Sequence, residues 1–310
     1  MSEVHRADVH ELGELTAVDS VVTIGNFDGV HRGHQVLLRR TVDAARDRDA
    51  RAVAITFDPH PAAVLRPGSE PPRLQSVDER VAALCALDLD LVVVLAFTRE
   101  LSHLSPQAFV EDVLVRPLGT RRLIVGTNFR FGHKAAGDVV TLVEAGDVHG
   151  FEVEAVTLRE LEHRPISSTQ VRRSLADGDL GWANLALGRP YAVRGEVVPG
   201  DGRGRTIGVP TANVAVDDGR LVPANGVYAG TASVEGSSWP AVTNVGRRPT
   251  FAGATRTVEV HLLDADPDLY GRELTFAFEH RLRDEQRFDG VEALVAQIHT
   301  DIATARELLG

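Results

Sequence analysis

The sequence is poor in residues that several classes of protein need. Cys85 is its only cysteine among 310 residues, so no disulfide can form within the chain. It lies in the apolar run 81–87, which favours a small buried side chain over a reactive thiol. The longest apolar stretch, 91–97, is far too short to cross a bilayer. Residues 1–15 carry acidic side chains and no apolar segment, so we expect no secretory signal.

Positive charge is also scarce. The chain has 33 Lys and Arg against 44 Asp and Glu, which gives a formal net charge of -11. This balance argues against a nucleic-acid partner, because a protein binds a phosphate backbone through many Lys and Arg side chains. A local basic pocket for a nucleotide is still compatible with this balance. Lys134 is the only lysine, so its position is informative. We predict a cytoplasmic protein without nucleic-acid or membrane partners, and a homo-oligomer is compatible with the sequence.

The length predicts two domains of ordinary size, and the first shows a clear alternation of elements. Apolar runs with strand character start at Val21, Ala52, Leu91, Arg122 and Phe151. Segments with helical spacing lie between them, at 36–45, 77–87, 109–115 and 139–143. Short strands that are apolar on both faces and alternate with helices predict a doubly wound α/β domain, in which helices cover both faces of a parallel sheet.

The pattern changes near Gly188. Two further helical segments, 168–176 and 180–187, end at the sequence Gly-Arg-Pro of 188–190, so we predict domains of residues 1–187 and 188–310. After this boundary apolar and polar residues alternate, with Gly and Pro turns between the runs and one helical segment at 291–302. This pattern is typical of a small antiparallel β-barrel followed by a terminal helix.

The first segment with candidate catalytic residues is GNFDGVHRGH, at 25–34. It follows the first predicted strand directly and leads into a helix, whose free amides and macrodipole favour a phosphate. The imidazole groups of His31 and His34 could stabilise charge on an α-phosphate during nucleotidyl transfer. A glycine turn with incidental histidines is the alternative. The position of the segment between a strand and a helix counts against this alternative. A zinc site is a weaker alternative because further ligands are missing.

Three more segments follow predicted strands, where ligands bind in open α/β folds. They are FDPHP at 57–61, GTNFRFG at 126–132 and ISSTQVR at 166–172. The last combines hydroxyls, a helix start and Arg172, a combination suited to the β- and γ-phosphates of a nucleotide. Taken alone it could equally be a Ser/Thr helix cap.

The second domain opens with a glycine-rich segment, GDGRGRTIGVPTAN at 200–213. Its backbone amides could surround phosphates, and Thr211 and Asn213 offer oxygen ligands for a hard cation. The Gly-Lys-Ser/Thr ending of a Walker loop is absent. Without further information a flexible hairpin loop is the alternative interpretation.

The motifs of the first domain resemble, in order, the adenylyltransferase half of bacterial bifunctional FAD synthetases, which belong to the HxGH nucleotidyltransferases. The resemblance covers most of residues 21–176. It implies that His31 and His34 are catalytic and that Asn128 helps to place FMN or the nucleotide. It further implies a set of ATP- and phosphate-binding residues: Gly25, Phe27, Asp28, Gly33, Asn128, Ser167, Ser168, Thr169 and Arg172. We add Lys134 as a phosphate contact, because it is the only lysine and stands in the loop after Gly132. An ordinary solvated surface lysine is the alternative.

The second domain resembles riboflavin kinase over nearly all of residues 190–309. The matching segments are GRGRTIGVPTAN, NGVY from Asn225, NVG from Asn244, RPTF from Arg248, TVE from Thr257 and LYG from Leu269. The resemblance implies that the ATP and flavin ligands are Gly202, Gly204, Arg205, Thr206, Gly208, Pro210, Thr211, Asn213, Asn244 and Arg248, with Thr211 and Asn213 at the metal.

Glu259 is the residue that we predict to be the kinase base. It alternates with the apolar residues Val258 and Val260, so its side chain leaves the strand on the opposite face and could meet a substrate. A solvated strand glutamate is the alternative, and the resemblance to riboflavin kinase outweighs it.

The resemblance implies two reactions. Riboflavin and ATP give FMN and ADP in the second domain, and FMN and ATP give FAD and pyrophosphate in the first. Both are expected to need Mg²⁺. One active half beside an inactive one, and a flavin-sensing protein without turnover, are the two alternatives.

Overall fold

The structure is a computed structural model that describes residues 2–157, 160–200, 202–250 and 253–310. Within these ranges the side chains of 203, 206, 247–250 and 253–255 are not described. The chain divides into two compact units, Met1–Ser168 and Thr169–Gly310, and each is considered by itself.

The first unit is built on a parallel six-stranded sheet of order β1-β4-β3-β2-β5-β6. Its strands are β1 (Glu3–Ala7), β2 (Ser20–Ile24), β3 (Arg51–Asp58), β4 (Leu91–Ala96), β5 (Thr120–Gly126) and β6 (Glu152–Val156), and a separate antiparallel pair follows as β7 (Glu160–Leu161) and β8 (Arg164–Pro165). The predicted strands are all present. The edge strand β1 was not predicted from the sequence, because Ala7 is its only fully buried residue and no apolar run marks it.

Helices connect these strands. They are α1 (Val9–Leu12), α2 (Arg32–Arg46), α3 (Pro61–Leu65), α4 (Val77–Cys85), α5 (Arg99–His103), α6 (Pro106–Phe109), α7 (Arg116–Leu118) and α8 (Val139–His149). The segment Val110–Val115, expected as an α-helix, is π-helical between α6 and α7. A 3₁₀ turn, His133–Ala135, lies between β5 and α8.

Alternate residues of each central strand enter two separate apolar cores, one on each face of the sheet. On one face Val22, Ile55 and Val93 pack with the residues around the π-helical segment. On the other face Val21 and Val92 pack with helices α2 and α4. Because the strands are buried on both sides, their sequences are almost continuously apolar. The doubly wound α/β architecture is therefore confirmed.

The second unit begins with two helices, α9 (Ser168–Asp177, whose first residue belongs to the first unit) and α10 (Leu180–Leu187). A closed antiparallel barrel of order β10-β13-β12-β11-β14-β9 follows. Its elements are β9 (Tyr191–Val198), α11 (Arg203–Thr206), β10 (Ala212–Val216), β11 (Gly226–Val234), β12 (Ser237–Thr250), β13 (Gly253–Leu262), β14 (Glu273–Arg283) and the terminal helix α12 (Val291–Leu309). The predicted barrel with a terminal helix is confirmed.

Helix α12 is held on the barrel by an apolar contact and an ion pair. Ile302 and Ala305 pack against Val227 on β11. Beside them the guanidinium of Arg283 on β14 forms two-pronged hydrogen bonds to the carboxylate of Asp301, at 2.8–3.1 Å. The two side chains are only 15% and 7% exposed, so water screens this pair poorly.

We expect Asp301→Ala to lower the free energy of unfolding of the second unit by about 3 kcal/mol, because removal of one partner leaves a charge buried without compensation. Denaturant unfolding followed by circular dichroism measures this effect. Arg306→Ala is the matched control, since it removes the exposed ion pair between the same helix and Asp264 and should cost less than about 1 kcal/mol. Equal effects of the two substitutions would contradict the prediction.

Candidate active sites

The segment GNFDGVHRGH lies at the carboxyl end of β2, at the centre of the parallel sheet. β2 pairs with β3 on one side and β5 on the other, and the order of the strands reverses at this point. In open α/β sheets a crevice forms where the strand order reverses, and ligands bind there. The loops that follow β2 and β5 therefore border the natural ligand crevice of this unit.

His31 and His34 lie against each other at the start of α2. Their rings are stacked with centroids 3.5 Å apart and planes 18° apart. His31 is the N-cap of the helix, and its Nδ1 accepts a hydrogen bond from the backbone amide of His34 at 3.2 Å. His31 is only 2% exposed, whereas His34 is half-buried. The pair thus stands at the positive end of the α2 dipole, where a phosphate would be favoured.

Gly33 lets two motifs meet at this helix start. A Cβ on Gly33 would lie 3.1 Å from the His31 ring and 3.2 Å from the carbonyl oxygen of Ile166. Two residues beyond Ile166, the hydroxyl of Ser168 donates to the carbonyl oxygen of Asp28 at 2.7 Å. The structure therefore brings the GNFDGVHRGH loop and the start of the ISSTQVR segment together.

The remaining loop residues are packed inward. Phe27 is buried, its ring lies over Gly25, and it meets the His34 ring edge-on with centroids 5.2 Å apart. The buried Asp28 carboxylate accepts hydrogen bonds from the backbone amides of Leu74 and Gln75 at 3.0–3.1 Å. Phe27 and Asp28 hold the loop in shape, and their contact with ATP stays a prediction.

Arg80 on α4 lies beside the loop that carries the histidine pair, and no sequence pattern indicated it. Its guanidinium donates to the carbonyl oxygens of Asn26 and Phe57 at 2.9 and 2.8 Å. Burial lowers the pKa of Arg80 from its ordinary value, and the carboxylates of Asp28 and Asp58 oppose that shift. No short motif surrounds Arg80, and its only signal was an arginine on a helix that is otherwise apolar on its buried side.

The loop after β5 carries Asn128 and Lys134. The side-chain oxygen of Asn128, an exposed residue, folds back to 2.9 Å from the position that a Cβ on Gly126 would take. Lys134 is exposed in the 3₁₀ turn, which is tied to the region of α5 by a hydrogen bond from the amide of His133 to the carbonyl oxygen of Leu104 at 2.7 Å. This loop thus reaches from β5 to the end of α5, the helix that follows β4.

We expect Lys134→Ala to raise the KM for ATP in FAD formation about tenfold, a loss of about 1.4 kcal/mol, while riboflavin phosphorylation is unchanged. Steady-state rates at varied ATP measure this. Arg116→Ala removes an exposed cation just before β5, at the opposite edge of the sheet, and is the matched control. An unchanged KM for ATP in Lys134→Ala would refute the phosphate contact.

The other predicted ATP ligands lie further along the chain. Ser167 is half-buried beside Ser168. Thr169 is exposed and Arg172 is half-buried, and both lie on α9 in the second unit.

In the barrel, Glu259 stands at the centre of a polar row on three neighbouring strands. Asn213 on β10 and Asn244 on β12 are its register partners on either side. The residues flanking it, Val258 and Val260, are buried in the barrel interior, while Glu259 is half-buried. Alternation along a strand therefore places Asn213, Glu259 and Asn244 side by side on the outer face.

The glycine-rich segment folds as a short helical turn rather than as a plain hairpin loop. Gly202 and Gly208 have positive φ angles of 68° and 77° and stand on either side of α11. A Cβ on Gly204 would lie 2.3 Å from the carbonyl oxygen of Val209 and 3.3 Å from the Thr211 hydroxyl, so only glycine allows this approach. The turn is thereby folded onto the segment that contains Thr211.

Two contacts fix the PTAN segment at 210–213 beside the Glu259 row. The Nδ1 atom of His261, on β13, lies 2.8 Å from the carbonyl oxygen of Pro210. The Asn213 side chain covers Gly200, since a Cβ on Gly200 would lie 2.1 Å from Nδ2 of Asn213. The predicted ligands Thr206 and Arg248 have side chains outside the described part of the structure.

A cavity of about 340 Å³ opens next to this segment. Its wall combines the apolar residues Val197, Val260, Leu262 and Leu269 with Arg205, Thr211, Asp266, Asp268 and Tyr270. Apolar walls with a few polar groups are typical of small-molecule sites.

Comparison with known proteins accounts for both units. A family model described as FAD synthetase matches residues 14–170, and one described as Riboflavin kinase matches residues 187–309. A bifunctional riboflavin kinase/FMN adenylyltransferase from Pseudomonas fluorescens is 44% identical over 93% of this chain and 92% of its own length. One from Escherichia coli K12 is 41% identical over 97% of this chain and 96% of its own length.

The chain belongs to the bifunctional riboflavin kinase/FMN adenylyltransferase family. A Bacillus subtilis member is 33% identical over 97% of this chain and 96% of its own length. Family membership confirms the resemblance seen in the motifs and the prediction of a bifunctional enzyme.

A crystal structure of a macrolide-efflux protein from Streptococcus pneumoniae is also similar, with a TM-score of 0.89 and 32% identity over 97% of this chain and 98% of that one. The described part of the present family member contains no helix that is both long and apolar enough to cross a membrane.

Proposed function

We propose that this chain phosphorylates riboflavin to FMN in the barrel and adenylylates FMN to FAD at the crevice of the parallel sheet. The observation that carries this proposal is the match of one family model to each half of the chain. It disfavours an enzyme with a single active half. It equally disfavours a flavin-sensing protein without turnover.

For FAD formation, a phosphate oxygen of FMN attacks the α-phosphorus of ATP, and the bond to the bridging oxygen breaks to release pyrophosphate. The negative charge on the α-phosphate oxygens grows during this step. The stacked pair of His31 and His34, at the positive end of α2, supports a role for these imidazoles in stabilising that charge. The exposed position of Asn128 on the loop after β5 supports a role in orienting a substrate.

For FMN formation, the 5′-hydroxyl of the ribityl chain attacks the γ-phosphorus of ATP, and ADP leaves. Glu259 takes the hydroxyl proton as the new bond forms. Its place between Asn213 and Asn244 supports this role, because the two amides can fix the direction of the carboxylate and of the substrate. The cavity next to the PTAN segment, whose wall includes Thr211, would hold the adenosine of ATP, with Arg205 toward the phosphates.

Mg²⁺ is the expected metal at the kinase site. The hydroxyl of Thr211 and the amide oxygen of Asn213 are hard donors, and they are close to the glycine-rich turn that would carry phosphates. Mg²⁺ is usually held by few protein oxygens together with substrate phosphates, so this set fits it. Among the described residues no three His, Cys, Asp or Glu side chains form a metal cluster. When bound, the ion would neutralise the phosphate charge of ATP.

We place the functional boundary near Gly188, between residues 187 and 188. The end of α10 at Leu187 and the left-handed Gly188 support this, since the barrel strands begin directly afterwards. The cytoplasmic location stays a prediction from the sequence.

One incubation tests the proposal. The purified chain is incubated with riboflavin, ATP and Mg²⁺, and the flavins are separated by HPLC. FMN followed by FAD is expected. FMN alone would restrict the function to the kinase, and unchanged riboflavin would refute the proposal.

A further inference from the structure

Arg80 links two loops at the carboxyl edge of the parallel sheet. Asn26 belongs to the loop after β2, which contains the histidine pair. Phe57 lies near the end of β3 and is the first residue of the FDPHP segment. One guanidinium nitrogen donates to the carbonyl oxygen of Asn26 and the other to that of Phe57. The residue is only 7% exposed, so these bonds are formed away from water.

The same carbonyl oxygen of Asn26 also accepts a hydrogen bond from the Thr56 hydroxyl, at 3.1 Å. The side-chain nitrogen Nδ2 of Asn26 in turn lies 3.4 Å from Nε2 of His60 in the FDPHP loop. Asn26 is thus the point at which the two loops are joined. Arg80 is the one charged group among these contacts, and charge-assisted hydrogen bonds are stronger than neutral ones.

The segment that carries Arg80 also holds the histidine loop a second time. Just before α4, the amides of Leu74 and Gln75 bind the Asp28 carboxylate, two residues beyond Asn26. The loop is therefore held on both sides of Phe27, which has a positive φ of 48°. A non-glycine residue in this conformation is strained and persists only when its surroundings hold it.

We propose that Arg80 is a positioning residue for FAD formation, which sets the histidine pair at the correct distance from the α-phosphate by joining the loops after β2 and β3. This inference rests on the proposed adenylyltransferase site. Arg80 contacts no substrate in this role. It acts through Asn26, and errors of about 1 Å in such a site can cost about 10²-fold in rate.

The guanidinium shape is essential to this proposal. Its nitrogens diverge in a plane and reach two carbonyl oxygens at once, whereas the ammonium of lysine is a single point. Arg80→Lys should therefore keep the charge but lose one of the two loop contacts. Arg80→Gln should lose the charge and at least one contact.

The test measures kcat and KM for FAD synthesis from FMN and ATP in the full-length chain. We expect Arg80→Gln to lower kcat about 10²-fold, with KM for ATP changed less than about threefold, and Arg80→Lys to give an intermediate kcat. Added methylguanidinium should partly restore kcat in Arg80→Ala. Riboflavin phosphorylation in the same samples should remain at the parent rate.

Arg6→Gln is the matched control, because it removes the exposed ion pair between Arg6 and Asp78 on the same helix and leaves both loops in place. It should keep the parent kcat. A fall in thermal stability of Arg80→Lys and Arg80→Gln without a fall in kcat would overturn the proposal. So would a rise in KM with an unchanged kcat. The double alanine variant of His31 and His34 separates the two ideas: if it still makes FAD, the proposed site itself is wrong.

Discussion

The double substitution of His31 and His34 by alanine should abolish FAD synthesis and leave riboflavin phosphorylation at the parent rate, so that FMN accumulates. Loss of one interaction that stabilises developing charge commonly costs about 10²–10³-fold in rate, and this variant loses two. The kinase residues lie in the other unit, which has its own core. HPLC of the flavins formed from riboflavin, and separately from FMN, measures both activities.

The double alanine variant also loses stability, because His31 caps α2 and loss of an N-cap acceptor costs about 1 kcal/mol. His31→Asn retains a capping side chain without the imidazole, so it should be stable and still defective in FAD synthesis. His163→Asn, which removes an exposed imidazole in the turn between β7 and β8 and keeps a side chain that tolerates the positive φ there, serves as the control and should be fully active. FAD formation by the double variant at a normal rate would reject the histidine assignment.

The parallel sheet could be predicted because its strands are buried on both faces. Strands β3 and β4 read as unbroken apolar runs for this reason, and the helices between them showed clear periodicity. The edge strand β1 gave no such signal. The π-helical Val110–Val115 has apolar residues at helical spacing, and spacing alone does not distinguish the two helix types.

The barrel was predictable as a class but not strand by strand. β12 contains Pro240, Asn244 and Gly246, which interrupt the alternation that marks a strand. Asn244 is itself part of the polar row beside Glu259, so the residues that suit the site are the ones that obscure the pattern.

In the candidate sites, too, some residues are found from a local sequence pattern and others are brought together only by the fold. Contiguous motifs such as GNFDGVHRGH could be found in the sequence, because one turn of chain brings His31 next to His34. Arg80 could not, since its partners Asn26 and Phe57 are distant in the chain and meet only through the pairing of β2 with β3. Alignment of Asn213 with Glu259 likewise depends on barrel register, which no local pattern gives.

Glu259→Gln should stop riboflavin phosphorylation while supplied FMN is still converted to FAD. Glutamine keeps the size of the side chain and its oxygen, but it cannot accept the proton, and loss of a general base costs about 10²–10⁴-fold. Glu279→Gln is the matched control, because Glu279 is another half-buried barrel glutamate, with its carboxylate bonded to the Thr231 hydroxyl at 2.7 Å. Near-parental phosphorylation by Glu259→Gln, measured as FMN plus FAD formed from riboflavin, would show that another group takes the proton. Loss of both activities in a variant that remains folded by circular dichroism would instead show that the two units do not work independently.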